Sequence, residues 1–231
     1  MTIIDKQIQG KQLLLLGGVR AACEIIREAQ KVGVIVYETD YLPDSPAKKV
    51  ADKAFMTSCT DVDAVVELCK AEGIDGLFTG YTDSLLPFAE QICRKLNFPF
   101  WGDSQNIEMC INKQMFKDAC EKSNVPVVPW KRVNGVDYKE AIKSIELPVV
   151  FKPVDNSGSR GVFKCYKKED LLPLCEQSLS YSKSKELLVE RLMDAHNEFS
   201  AYYIMNQGDY YFTGMGDRYI FELAPDIAPV G

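Results

Sequence analysis

A glycine-rich loop between two predicted strands limits the folds that this chain can adopt. Residues 149–151 form a short apolar run with β-branched side chains, typical of a buried strand, and Pro153 then removes a backbone donor. Residues 162–166 have the composition of a second strand, so the small residues at 155–161 connect strand to strand. The phosphate loops of Walker proteins and of dinucleotide-binding folds connect a strand to a helix. The sequence therefore excludes both of those loops at this position.

The residue types of this loop are suited to folding over a polyphosphate. Backbone N–H groups can approach phosphate oxygens closely at Gly158 and Gly161, because glycine has no Cβ atom. The hydroxyls of Ser157 and Ser159 add hydrogen-bond donors, and Arg160 supplies a positive charge. We therefore predict binding roles for the glycines and serines and a catalytic, charge-neutralising role for Arg160. An ordinary mobile hairpin has the same composition, so that alternative stays open.

Composition and charge exclude several classes of protein. The chain has 231 residues, of which 46% are hydrophobic and 26% charged, as in soluble globular proteins of one or two domains. Its formal net charge of −6 argues against nucleic acid or an anionic membrane as a partner. We find no apolar run near the ~18 residues of a membrane span and no secretory leader. The eight cysteines form no C-x-x-C pair and there is one histidine, so we expect reduced cysteines in a cytoplasmic protein.

Strands and helices alternate in the first part of the chain, after a polar stretch at residues 1–11 that we expect to fray. Residues 13–16 are predicted to form a buried strand, residues 19–32 a helix and residues 34–38 a second strand. Such a βαβ unit implies a parallel sheet. The fingerprint G-x-G-x-x-G is absent after the first strand. Dinucleotide binding there is therefore an alternative to a packing turn or a small-anion contact.

Two further units extend this predicted sheet. We expect Thr60 to cap a helix at residues 61–72, a strand at residues 76–79, and a closing strand at residues 97–102. Ligands of open α/β sheets bind at the carboxyl ends of the strands. The candidate substrate contacts at this edge are Gly18, Arg20, Thr82 and Asp83, with Asp40 beside them. Capping of the following helix is an alternative role for Thr82 and Asp83.

A lysine at the start of the next helix is a candidate phosphate contact. Asn112 is the predicted N-cap of a helix at residues 113–122, which puts Lys113 at the first helical position. A cation there opposes the helix dipole at a cost of ~0.3–1 kcal/mol. A bound anion would turn this unfavourable interaction into a favourable one. A strand is predicted at residues 125–130, and a later strand at residues 187–189 leads into residues 190–193.

The order of these motifs resembles the ATP-grasp superfamily, and in particular its short members related to the large subunit of carbamoyl-phosphate synthetase. The resemblance rests on Asn112-Lys113, on residues 150–153, on residues 157–161, and on residues 188–190 with residues 198–200. It implies an α/β fold in two parts. A parallel-sheet, Rossmann-like pre-ATP-grasp domain at residues 1–105 would precede a partial α+β ATP-grasp domain at residues 106–231.

The resemblance also implies roles for individual residues. Lys113 and Lys152 are similar to the two lysines that hold the α- and β-phosphates, and residues 157–161 to the lid loop over them. The hinge between the two ATP-grasp lobes would lie at residues 190–193, with backbone groups that read the adenine edge. The cofactor-binding residues implied besides the two lysines are Ser157, Gly158, Ser159, Gly161, Glu190, Arg191, Met193 and Glu198, the last on the ribose. The early domain would help to bind the acceptor substrate.

By this resemblance the protein would be an ATP-dependent ligase that activates a carboxylate as an acyl phosphate and passes it to an amine or a thiol. The expected partners are ATP, a small carboxylate and an amine acceptor, with a homodimer as the assembly. The family binds Mg²⁺ through a glutamate and a Glu-x-Asn pair, which have no counterpart in these residues. We therefore expect the Mg²⁺ ligands downstream of residue 231, none within this chain, and an inactive fragment.

Two alternative functions come from the residues themselves. The early βαβ unit would serve an NAD(P)-dependent oxidoreductase. The later motifs would also serve a non-catalytic nucleotide-binding module, which binds ATP without releasing ADP.

Overall fold

The computed structural model describes residues 3–156, 158–193 and 199–217. The chain divides into two compact units, Met1–Ile111 and Asn112–Gly231. The first is built on a parallel sheet and the second on an antiparallel sheet, so the predicted mixed α/β fold is confirmed. The domain roles predicted for the two parts stay predictions. No helix in the described ranges is both long and apolar enough to cross a bilayer.

The first unit has a four-stranded sheet with the strand order β3-β2-β1-β4. The strands are β1 (Gln12–Leu16), β2 (Ile35–Thr39), β3 (Lys53–Phe55) and β4 (Gly76–Phe78). The α-helices are α1 (Ile3–Ile8), α2 (Ala22–Lys31), α3 (Val62–Glu72), α4 (Leu86–Leu96) and α5 (Ser104–Ile111). Short 3₁₀ helices lie at Pro46–Lys49 and Asp83–Leu85. All pairings within the sheet are parallel, as the βαβ pattern predicts.

The leucine run of β1 is apolar throughout because both faces of this sheet are covered. Leu14 and Leu16 belong to a core cluster with residues of α3 and α4. Leu15 points to the other face and packs in a cluster with Ala22 and Ile26 of α2. Side chains of a strand alternate between faces, so a parallel strand covered by helices on both sides has no solvent-facing position.

The second unit has a four-stranded antiparallel sheet with the order β5-β8-β6-β7. Its strands are β5 (Trp130–Asn134), β6 (Val149–Pro153), β7 (Phe163–Cys165) and β8 (Glu186–Arg191). The α-helices are α6 (Lys113–Lys122), α7 (Tyr138–Ala141) and α8 (Leu171–Tyr181), with 3₁₀ turns at Ile142–Ser144 and Lys168–Asp170. A separate two-stranded sheet consists of β9 (Phe199–Asn206) and β10 (Asp209–Asp217).

One face of this antiparallel sheet forms the core of the second unit. Val149, Phe151 and Val189 pack there with Cys175 and Leu179 of α8. Because successive residues of a strand point to opposite faces, Val150 and Lys152 of β6 and Glu190 of β8 share the other face. Lys152 and Glu190 therefore lie on the face of the sheet opposite this core.

Two of the predicted strands are wrong, and prolines explain both errors. The strand expected at residues 125–130 begins only at Trp130, because Pro126 and Pro129 cannot donate hydrogen bonds to a sheet. No strand forms at residues 97–102. There Asn97 adopts a left-handed conformation and the Phe98 N–H is donated to the Cys93 carbonyl, which ends α4, and the following Pro99 has no N–H to donate to a sheet.

The predicted helix starts also need correction. The N-cap of α3 is Asp61 and not Thr60, and its carboxylate accepts the Ala64 N–H at 3.1 Å. Thr82 precedes the 3₁₀ turn at Asp83–Leu85, where its side chain makes no capping hydrogen bond. The first residues do not simply fray, since α1 forms at Ile3–Ile8. Asn112 caps α6 as predicted, with its side chain accepting the N–H groups of Gln114 and Met115.

Candidate functional site

A buried carboxylate bridges two lysines on the face of the antiparallel sheet that lies opposite its core. Lys152 of β6 and Glu190 of β8 are diagonal neighbours, because Val150 pairs with Glu190 and Lys152 with Leu188. The Lys152 Nζ lies 2.6 Å from Glu190 Oε2. The Nζ of Lys117, on α6, lies 3.1 Å from Glu190 Oε1. Each carboxylate oxygen thus has its own ammonium partner.

The two lysines differ in their access to solvent. The side chains of Glu190 and Lys117 are 8% and 12% exposed, whereas that of Lys152 is 31% exposed. Burial alone would raise the pKa of the Glu190 carboxyl, but the hydrogen bonds and charges of Lys152 and Lys117 hold that pKa below its usual value. The carboxylate is therefore ionised at neutral pH, with Lys152 as its outer partner and Lys117 as its inner one.

Lys113 adds a third cation to this group. Its Nζ donates to the carbonyl of Pro153 at 3.1 Å and to the carbonyl of Asn156. Burial lowers the pKa of Lys113, and the positive charge of Lys152 lowers it further. Three lysines against the carboxylates of Glu190 and Asp155 leave an excess of positive charge at the start of α6, where the helix dipole also favours an anion.

The glycine-rich loop joins β6 to β7 as predicted, and both of its ends are held in place. The Asp155 carboxylate accepts the Ser182 hydroxyl at 2.9 Å and the Ser184 N–H at 2.8 Å. At the other end, the Ser178 hydroxyl donates to the Gly161 carbonyl at 2.7 Å. Gly161 has φ +78°, and a Cβ atom there would lie 2.5 Å from the Cβ of Tyr181. Glycine is needed at this position for conformation and for space.

The middle of the loop is exposed. Gly158, Ser159 and Arg160 are all solvent-accessible, and Gly158 and Ser159 have φ values of +64° and +56°. Nothing lies within 4 Å of the position that a Cβ atom would take at Gly158. Ser157 lies outside the described residues. A loop with anchored ends and an exposed middle has the form expected of a cover over a ligand.

The predicted hinge at residues 190–193 includes the last two residues of β8, Glu190 and Arg191. The Arg191 N–H is donated to the Pro129 carbonyl and the Leu192 N–H to the Pro148 carbonyl, each at 3.0 Å. The side chain of Met193 is exposed. Glu198 lies outside the described residues. Because the Arg191 N–H is already donated within the protein, an adenine contact at Arg191 would use its carbonyl oxygen.

In the turn after β1, in the first unit, the Gly18 N–H has a hydrogen-bond partner within the protein. The Gly18 N–H is donated to Asp40 Oδ2 at 2.9 Å, and the Leu42 N–H to Asp40 Oδ1 at 2.8 Å. A Cβ atom at Gly18 would lie 2.8 Å from Glu38 Oε1 and would overlap Ser45 Oγ. Of the alternatives for this turn, the structure therefore favours packing over a small-anion contact at the Gly18 N–H.

The other candidate substrate residues lie around the same edge of the parallel sheet. Thr82 is half-buried, and its Oγ1 lies 3.6 Å from the position of a Cβ atom at Gly17. Arg20 and Asp83 are exposed. The structure thus brings Thr82 next to the turn after β1, while Arg20 and Asp83 face solvent.

Glu38 of β2 is a buried acid that the sequence analysis missed. Its side chain is fully buried, and Oε1 lies 3.4 Å from Ser45 Oγ. Oε2 has no hydrogen-bond partner among the described residues. Burial raises the pKa of Glu38 to about 7, with Lys48 opposing the shift and Asp40 adding to it. The sequence gives no sign of this burial, because Glu38 stands at the polar end of its strand, directly before Thr39 and Asp40.

Lys117 was also missed, although a signal was available. It follows Lys113 by four residues on a predicted helix, and residues with that spacing share a helix face. A phosphate-binding role for Lys113 could therefore have directed attention to Lys117.

Comparisons with known proteins match both units. The sequence model described as "Carbamoyl-phosphate synthase L chain, ATP binding domain" matches residues 112–210. A formate-dependent phosphoribosylglycinamide formyltransferase of Sulfurisphaera tokodaii is 25% identical over 198 residues, which cover 82% of this chain and 49% of that protein. The chain spans about half the length of the curated relatives it matches.

Solved structures show the same fold. An ADP complex of an N5-carboxyaminoimidazole ribonucleotide synthetase superposes with a TM-score of 0.78 at 21% identity, over 93% of this chain and 56% of that one. The biotin carboxylase domain of a Hydrogenobacter thermophilus 2-oxoglutarate carboxylase, a dimer in complex with MgADP, ADP and bicarbonate, superposes with a TM-score of 0.73 at 21% identity, over 90% and 50% of the two chains. The predicted resemblance to the ATP-grasp superfamily is confirmed.

Proposed function

We propose, from this ATP-grasp fold, that the complete protein is an ATP-dependent ligase joining a small carboxylate to an amine, or to a thiol, through an acyl phosphate. The observation that carries the proposal is the group of Lys113, Lys117 and Lys152 around Glu190, beside an anchored glycine-rich loop. An excess of fixed positive charge at a helix start is what a polyphosphate requires. Phosphoryl transfer depends mainly on such positioning and charge neutralisation.

The proposed nucleotide site is divided among four parts of the second unit. Lys113 and Lys152 bind the phosphates, and the loop with Gly158, Ser159 and Gly161 covers them. Arg160 neutralises charge that develops on the transferred phosphoryl group. The adenine edge is read by the Arg191 carbonyl and by the backbone of Met193. Ser157 and Glu198 keep their proposed roles on the phosphates and the ribose.

Magnesium is proposed as the partner of the nucleotide phosphates, without assigned protein ligands. In the described part of the chain, no group of three or more His, Cys, Asp or Glu side chains is placed to hold a metal ion. A bound Mg²⁺ would neutralise phosphate charge. The described residues supply lysines for the same purpose, and we derive no step through the metal.

The acceptor substrate is proposed to bind at the carboxyl edge of the parallel sheet, near Gly18, Arg20, Thr82 and Asp83. Support comes from the position of Thr82 beside the turn after β1, at the edge where open α/β sheets bind ligands. We propose a homodimer, in the cytoplasm, with neither nucleic acid nor membrane as a partner. All eight cysteines are free, which fits a reducing compartment.

The alternative of an NAD(P)-dependent oxidoreductase draws no support from this edge. A dinucleotide pyrophosphate would need free backbone N–H groups in the turn after β1. The Gly18 N–H is instead donated to Asp40, and a carboxylate at that place repels phosphate.

The test is ADP release by the full-length protein with MgATP and a panel of small carboxylates and amines. Hydroxylamine added in place of the amine should trap the acyl phosphate as a hydroxamate, which identifies the carboxylate. ADP release that needs both a carboxylate and a nucleophile would support the proposal. ATP binding without ADP release across the panel would favour the non-catalytic module, and absence of ATP binding would contradict both.

A further inference from the structure

The two carboxylate oxygens of Glu190 are paired with two lysines that differ in their exposure to solvent. Lys152 is the more exposed partner, and Lys117 is almost as buried as the carboxylate itself. Lys117 is also fixed from a second side, because its Nζ donates to the Val128 carbonyl at 3.3 Å. The inner lysine is therefore part of the protein framework, whereas the outer one can reach a ligand.

Nucleotide binding would take one of the two lysines away from Glu190. If Lys152 turns to a phosphate oxygen, Glu190 loses the hydrogen bond on Oε2 but stays buried. A buried carboxylate without a partner is costly, and it avoids that cost by taking up a proton. A second cation is therefore needed to keep the carboxylate ionised and in place while Lys152 moves to the phosphate.

We propose that Lys117 is a positioning residue, which holds Glu190 ionised and fixed while Lys152 moves from that carboxylate to the nucleotide phosphates. The inference rests on the proposed function, because it assigns Lys152 to ATP. Lys117 acts through Glu190 and does not itself touch the nucleotide. Glu190 pairs with Val150 of β6 and directly precedes the last residue of β8, within the predicted hinge.

The charged groups that face Glu190 are few. Lys117 and Lys113 come from α6 and Lys152 from β6, and all three are cationic. On β5 the residue paired with Glu190 is Trp130, which has no charge. When Lys152 leaves, Lys117 is thus the remaining cation in hydrogen-bond contact with the carboxylate among the described residues.

The first experiment needs no nucleotide. In the full-length protein, Lys152→Met removes the outer lysine permanently, and carboxyl-carbon NMR follows the titration of Glu190, with Glu190→Gln used for assignment. If Lys117 holds the charge, the pKa of the Glu190 carboxyl in Lys152→Met stays no higher than that of an ordinary glutamate. In the double variant Lys117→Met/Lys152→Met the pKa of Glu190 should rise above its value in Lys152→Met, because burial is then opposed only by the charge of Lys113.

The second experiment measures proton uptake when MgATP binds, by calorimetry in buffers of different ionisation enthalpy. On binding MgATP, Lys117→Met should take up more protons than the wild type near neutral pH, because Glu190 then loses its remaining hydrogen-bonded cation. Its affinity for MgATP should be roughly tenfold weaker or more. Lys117→Arg should restore wild-type proton uptake, since the charge returns. Lys122→Met, on the exposed last turn of the same helix, is the matched control and should behave as wild type.

The inference is overturned if Glu190 titrates in Lys152→Met as it does in the double variant, or if Lys117→Met binds MgATP with wild-type affinity and proton uptake. A merely structural lysine would change stability without changing proton uptake. If the wild type bound no ATP, the proposed function would fail, while the Glu190 titration would still decide what Lys117 does. Should Lys117→Met fail to fold, Lys152→Met decides the question, because it keeps Lys117.

Discussion

Lys113 and Lys152 differ in what holds their ammonium groups. Lys152 is paired with a carboxylate, whereas Lys113 donates to the backbone carbonyls of Pro153 and Asn156. Replacing either lysine by Met should weaken MgATP binding by roughly 10- to 150-fold, the equivalent of one charge-assisted hydrogen bond of ~1.5–3 kcal/mol. Calorimetry on the full-length variants, with Lys122→Met as control, makes the comparison. Wild-type affinity in both variants would remove these lysines from the site.

Glu38 should make the stability of the first unit depend on pH. The pKa of Glu38 is about 7 in the folded protein and 4.5 for an ordinary glutamate. Between those values the unfolded chain has already lost the proton that the folded protein still binds, so stability falls as pH rises. The contribution is complete below the lower pKa and lost above the higher one. A shift of this size corresponds to about 3 kcal/mol.

The substitution Glu38→Gln removes this titration. We expect Glu38→Gln to be more stable relative to the wild type at about pH 8 than at about pH 5, by up to ~3 kcal/mol. Urea unfolding followed by Trp101 fluorescence, in a Trp130→Phe background, reports on the first unit alone. A stability difference that is equal at the two pH values would show that Glu38 does not titrate there.

At the scale of elements, two glycines of the loop between β6 and β7 offer a matched test of packing. Gly161 and Gly158 both have positive φ, but a Cβ atom would overlap Tyr181 and Pro153 at the first and meet nothing at the second. Gly158→Ala should therefore cost only the backbone strain of ~1–2 kcal/mol. Gly161→Ala should cost ~1–3 kcal/mol more, because the end of α8 must move. Urea unfolding of the second unit measures both, and equal losses would contradict the packing at Gly161.

The sequence predicted elements well where local pattern decides the outcome. The leucines at residues 13–16, the helices predicted at residues 19–32 and 61–72, and the cap at Asn112 correspond to β1, α2, α3 and α6, although α2 starts only at Ala22. The errors at residues 97–102 and 125–130 arose where prolines interrupt apolar runs. The apolar pattern predicted strands there, but proline lacks the N–H group that a sheet requires.

The contacts of the candidate site could not be predicted where they join residues that lie far apart in the sequence. The pairing of Lys152 with Glu190 depends on the register of β6 with β8, across 38 residues of chain. Anchoring of the loop by Ser178 and Asp155, and the burial of Glu38, likewise come from tertiary packing. The periodicity of one segment gives no information about a hydrogen-bond or ion-pair partner that lies in another segment.

At the scale of the whole molecule, the β9–β10 hairpin carries apolar side chains on both of its faces. Tyr203 and Phe212 pair across the strands with ring centroids 5.4 Å apart, yet they are 61% and 58% exposed. The side chains of Tyr202, Ile204, Met205, Tyr210, Tyr211 and Met215 are exposed as well. A two-stranded hairpin is marginal alone, and apolar surface of this kind favours association.

The 231-residue chain should therefore self-associate through this hairpin, with the dimer fraction rising with concentration. The double variant Tyr203→Lys/Phe212→Lys places two like charges on one face of the hairpin, and should shift the chain to monomer by roughly tenfold or more in dissociation constant. Light scattering after size-exclusion chromatography measures this across a concentration series. Val136→Lys is the control, since Val136 is 95% exposed and lies outside the hairpin. A wild-type chain that stays monomeric at every concentration, or a double variant that associates as strongly as Val136→Lys, would show that the hairpin is not the contact surface.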